Sequence, residues 1–151
     1  MDRSGVGCAL MSDDVRTRLI GTWRLVSYET ESPDGRKGQP YAAAVGRLVY
    51  DDHGNMSGQV MRPDRARVER GGYAQQVRAA YIGYIAYFGT YEVADDGKTV
   101  VHHVEGALNP AWVGGPLVRA IQFDGDHLIL SLQVQKNEEE IVTHTLTWTR
   151  C

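Results

Sequence analysis

The sequence predicts an all-β fold, a closed antiparallel barrel of eight strands with one helical segment between the third and fourth. Three observations carry this reading. Runs of β-forming residues recur at short, regular spacing; Asp-Gly and related turn clusters separate them; and the later runs alternate apolar with polar residues at period two. Eight strands of this kind can close a barrel whose interior holds one small ligand.

In chain order, residues 1–18 read as a leader or short helix and 19–151 as the barrel domain. Met11, followed by Ser12-Asp13-Asp14, is either the native start or the lead into a short helix capped by Ser12. The first strand covers 20–30, where Trp23, Val26 and Tyr28 favour extended backbone, and Ser32-Pro33-Asp34-Gly35 stops it. Strands at 45–50 and 55–61 flank the turn Asp51-Asp52-His53-Gly54 and pair as a hairpin. Residues 65–85 lose the alternation and place Val77, Tyr81 and Tyr84 or Ile85 at helical spacing, so the second half of this segment is read as a helix. Strands follow at 87–94, 99–107, 117–123, 127–135 and 140–150, separated by Asp95-Asp96-Gly97, a Pro/Gly loop over 109–116, and Asp124-Gly125-Asp126.

Alternation selects the inward faces. On the last strand Val142, His144, Leu146 and Trp148 oppose a threonine face, and on the seventh Leu128, Leu130, Leu132 and Val134 oppose polar neighbours. The fifth strand is ambiguous. Val101, His103 and Glu105 compete with Val100, His102, Val104 and Gly106 for the interior.

The 151-residue chain carries 42% apolar and 23% charged residues and a formal charge of -3, which suits one soluble domain and supplies no basic stripe for nucleic acid. No apolar run approaches the roughly 20 residues of a membrane span, and residues 1–10 hold no secretory or lipoprotein pattern, so a cytoplasmic protein is expected. Cys8 and Cys151, near opposite ends, read as free thiols on the termini.

Several segments together resemble the bacterial and fungal lipocalin-like domain family: Leu19-Ile20-Gly21-Thr22-Trp23-Arg24-Leu25-Val26-Ser27, the strand with Gly46, Leu48 and Tyr50, Gly54-Asn55-Met56-Ser57, Arg62-Pro63, Tyr84-Ile85-Ala86-Tyr87-Phe88-Gly89-Thr90-Tyr91, and His102-His103-Val104-Glu105-Gly106 continuing to Leu108-Asn109-Pro110. The resemblance spans nearly all of the chain from Leu19. It implies a small calycin-type barrel in which Trp23 plugs the closed end and Arg150 packs across it. It implies a fold more than an activity, since related barrels serve both as carriers and as cofactor-free enzymes of natural-product pathways.

For chemistry, His103 and Glu105 stand two apart on one strand and project to one side, as an acid/base couple would. The competing reading is a buried structural bridge, between these two or between Glu105 and Arg119. Tyr87 and Tyr91 share a face with Gly89 between them, leaving room for a ligand, whereas the wider tyrosine group could simply pack the helix on the barrel. Trp112, among small residues, is a gate or a plug for the open mouth, and Arg62, Arg65, Arg67 and Arg70 form a basic rim patch. No metal site is expected, because adjacent His102 and His103 diverge; haem through His103 or His144 ranks below an organic ligand.

The expected function is binding of a small hydrophobic molecule in the cavity, with Tyr87, Tyr91, Trp112, Arg119 and His144 as ligand contacts and no cofactor. The alternative is a cofactor-independent cyclase, isomerase or dehydratase of secondary metabolism that uses His103 and Glu105 as catalytic residues. Neither nucleic acid nor membrane is an expected partner; a homodimer stays open.

Overall fold

A computed structural model of the protein describes residues 4–67 and 70–151. Helix α1 (Ser4–Leu19) leads into strand β1 (Gly21–Glu31). Ser12 stands inside this helix and does not cap it. The side chain of Cys8 lies outside the described residues; Cys151 is free and exposed.

The turn after β1 is tied by the Gly35 N–H donating to the Ser32 carbonyl at 2.9 Å. It brings back a two-residue strand, β2 (Lys37–Gly38), which pairs only with the end of β1. Seven longer strands follow in simple up-and-down order: β3 (Val45–Tyr50), β4 (Asn55–Met61), β5 (Tyr84–Val93), β6 (Thr99–Ala107), β7 (Pro116–Asp124), β8 (His127–Gln135) and β9 (Ile141–Arg150). Each pairs antiparallel with the next, and β9 closes on β1 from Trp23↔Arg150 to Glu31↔Thr143. The eight long strands thus form a closed barrel, and closure removes the edges that an open sheet would expose.

The helical segment α2 (Tyr73–Tyr81) sits between β4 and β5. Strand β5 starts at Tyr84, three residues before the sequence expectation, because Met61↔Tyr84 and Val60↔Ile85 continue the β4 ladder up to the mouth. No residue of α2 is buried, so helix-to-barrel packing does not account for its tyrosines: Tyr73 and Tyr81 are exposed.

At the closed end, Trp23 is 1% exposed and its indole N–H donates to the Leu19 carbonyl at 2.8 Å. The Arg150 guanidinium lies 4.3 Å from the Trp23 ring centroid and donates to the carbonyls of Ile20 and Arg18. Gly21 makes this possible. Its φ is +137°, and a Cβ there would sit 2.6 Å from Arg150 Nη1. The glycine and tryptophan of the opening motif are therefore two halves of one plug, with Arg150 laid across it.

Inward faces on β8 and β9 follow the alternation, with Leu128, Leu130, Val142 and Trp148 buried. Strand β6 resolves to Val100, His102 and Val104 inside, all buried, while His103 and Glu105 are exposed. Valine and histidine on both faces cause the ambiguity, and beyond Val104 a bulge adds to it. Phe88 pairs with Gly106 but Gly89 with Val104, which leaves Glu105 unpaired and breaks the period of the strand. Gly89 permits the close approach, since a Cβ at that position would stand 1.9 Å from the His103 carbonyl oxygen.

Candidate functional site

Above the plug the barrel encloses a cavity of about 260 Å³, near the lower limit of the roughly 300–1,000 Å³ usual for small-molecule sites. Its walls are mostly aliphatic: Leu48, Val60, Ile85, Leu130, Leu132 and Leu146 face it from five strands. Into this apolar frame project Tyr28, Tyr87, His102, Arg119 and His144, with Trp112 at the mouth.

His102 is the most enclosed polar group, 1% exposed. Both ring nitrogens are engaged, Nε2 with the Tyr50 hydroxyl at 2.6 Å and Nδ1 with the Tyr87 hydroxyl at 2.8 Å. A neutral imidazole has one donor and one acceptor nitrogen, so one tyrosine accepts from the ring and the other donates to it. Burial, then the charges of Arg119 and His103, push the His102 pKa down to about 3. Burial likewise raises Tyr50 well above the usual phenol range and raises Tyr87, with Arg119 opposing both. Phenol, imidazole and phenol thus form one neutral chain through the wall.

A second pair stands across the barrel. The Tyr28 hydroxyl and His144 Nδ1 are 2.7 Å apart. Burial, reinforced by Tyr41 and opposed by Arg119, pushes Tyr28 up to about 12, and burial with Arg119 lowers His144. Arg119 itself comes from β7, where Leu117, Ile121 and Phe123 share its inward, less exposed face. Its Nη1 donates to the Val118 carbonyl at 3.0 Å. Among the described residues no carboxylate lies within 4.0 Å of it. A further unpaired donor is the buried indole N–H of Trp148, a residue of the same cavity wall.

The mouth is dressed by a loop. Asn109 caps a short 3₁₀ turn (Pro110–Trp112) by accepting from the Ala111 N–H at 3.1 Å. This turn sets Trp112 edge-on to Tyr87, with ring centroids 6.0 Å apart. Of the basic rim, Arg62 pairs with Asp64 at 2.9 Å and Arg65 donates to the Ala80 carbonyl at the end of α2.

Of the residues expected to meet a ligand, Tyr87, Trp112, Arg119 and His144 line the cavity. Tyr91 faces inward but deeper, packed on Tyr50 with its hydroxyl donating to the Asp51 carbonyl at 2.7 Å. His103 and Glu105 stand on the outer face, where His103 meets Glu92 at 3.0 Å in solvent. An acid/base couple acting inside the barrel cannot be built from them, because the strand wall lies between. A bridge from Glu105 to Arg119 is not formed either, since the two point to opposite sides of the sheet. His102 was the residue that sequence reasoning missed; its flanking Val100 and Val104 were the available signal.

Closed barrel, plugged floor and apolar cavity define a lipocalin-like β-barrel. Comparison with protein families matches the lipocalin-like domain over residues 20–151, and the chain belongs to that family. The lipocalin-like fold points in general to binding of small hydrophobic molecules. No curated protein matches the sequence. No described helix is long and apolar enough to cross a membrane.

Proposed function

We propose that this protein binds a small hydrophobic organic molecule inside the barrel, with Tyr87, Trp112, Arg119 and His144 as its polar and aromatic contacts. The observation that carries the reading is the aliphatic cavity of about 260 Å³ beneath Trp112. Fluorescence titration with N-phenyl-1-naphthylamine tests it. Saturable one-to-one binding is expected, weakened by Leu132→Trp, which fills the cavity, and unchanged by His103→Ala or Glu105→Gln. Absence of saturable binding, or indifference to Leu132→Trp in a folded variant, overturns it.

A second reading, proton-transfer catalysis on the bound molecule by a cyclase, isomerase or dehydratase, is supported by the Tyr50, His102 and Tyr87 chain at the cavity wall. The chemistry favours the carrier. With its pKa near 3, His102 is a poor base at neutral pH. A cytoplasmic location and a homodimer belong to the same proposal, and cell fractionation and sedimentation test them.

A further inference from the structure

We propose that the cavity takes a monocarboxylic acid with a compact apolar tail, its carboxylate paired with the guanidinium of Arg119. This rests on the reading that the barrel binds a small molecule at all.

Arg119 occupies an inward position on β7, between Leu117 and Ile121, where a strand of this pattern ordinarily puts another aliphatic residue. An arginine on the outer face would stay hydrated at no cost. Here the cation faces an aliphatic chamber with no carboxylate within 4.0 Å among the described residues; of its five N–H donors the Val118 carbonyl takes one, and the Tyr87 hydroxyl stands as a second, neutral acceptor.

Every strand that presents a titratable group to Arg119 presents it neutral. Burial keeps protonated the phenols of Tyr28 on β1, Tyr50 on β3 and Tyr87 on β5, and keeps unprotonated the imidazoles of His102 on β6 and His144 on β9. The chamber therefore carries a single positive charge, which one monoanion neutralises and a dianion over-compensates.

A guanidinium with free donors is satisfied by water wherever water reaches it. A wholly apolar ligand that expels that water leaves the cation without a partner among leucines and binds more weakly for it. A carboxylate replaces the water with two parallel, charge-assisted hydrogen bonds, a geometry the planar guanidinium fits. The aliphatic remainder of a chamber of about 260 Å³ holds the tail and restricts it to a short acyl chain or a small ring system.

The test compares octanoic acid with 1-octanol, which share a chain and differ in the charged head, as competitors of N-phenyl-1-naphthylamine at pH 7.5. In the unmodified protein octanoate is expected to displace the probe at a concentration lower than octanol by about tenfold or more. In Arg119→Gln octanoate loses that advantage and competes no better than octanol, and Arg119→Lys, which keeps the charge but not the fork, retains part of the preference. Octanoate should also raise the melting temperature of the unmodified protein but not of Arg119→Gln. That variant, having lost a cation that no carboxylate balances, melts no lower than its parent. Should octanol match octanoate, or should Arg119→Gln keep the preference, the carboxylate assignment falls while cavity binding stands. If neither probe nor alcohol binds, the binding reading itself fails.

Discussion

Replacing His102 by glutamine should make the barrel less sensitive to acid, by an amount that follows from the burial of this one ring. The imidazole is 1% exposed and held between two phenols, and its pKa falls from 6.5 to about 3. Between those values the unfolded chain binds a proton that the folded barrel refuses. The neutral ring thus contributes stability that is fully present above pH 6.5 and is lost as pH falls from there toward 3. At 1.36 kcal/mol per pH unit, going from pH 7 to pH 4 removes about 3 kcal/mol through His102 alone. Urea unfolding of parent and His102→Gln at both pH values isolates this term, because the remaining carboxylates and His144 titrate in both proteins. The drop in unfolding free energy from pH 7 to pH 4 should be smaller in the variant by about 3 kcal/mol. Equal drops in the two proteins would mean that His102 is charged or hydrated in the fold, and the neutral chain through Tyr50 and Tyr87 would be wrong.

Two further outcomes concern the frame of the site. Gly89→Ala forces a Cβ to within 1.9 Å of a backbone carbonyl at the β5 and β6 bulge, and should cost about 3 kcal/mol in urea unfolding; a near-neutral result would show that the bulge relaxes freely. Arg150→Ala removes the cation over Trp23 and its bonds to the Ile20 and Arg18 carbonyls, and should cost about 2 kcal/mol. Arg150→Lys should recover only part of this, and probe binding in the cavity at the other end of the barrel should be unchanged.

Much of the fold is legible in the chain because its signals are local. Turn clusters such as Asp124-Gly125-Asp126 end strands through their own backbone chemistry, and the leucines of β8 select their face by burial alone. Trp23 and Arg150 were legible as a plug only through the resemblance to the lipocalin-like family; the positive φ of Gly21 and its close approach to Arg150 came from the structure. The outermost features were harder. Strand β2 has two residues and exists only because β1 offers its free end, and the early start of β5 depends on β4 continuing beside it.

The site shows where local reading stops. Strand β6 has apolar residues on both faces, and its period is broken at Glu105 by a bulge that exists only because Gly89 on the neighbouring strand has no side chain. Neither partner alone encodes that shift, and with valine and histidine on both faces of 100–104 the sequence could not decide between His102 and His103. The chain by itself determined an antiparallel barrel and a set of inward leucines, because these follow from period, turn chemistry and burial within single segments. Tertiary structure alone placed His102 between Tyr50 and Tyr87 and left Arg119 without a carboxylate. These are contacts between strands far apart in sequence, and they form only once register and closure have been set.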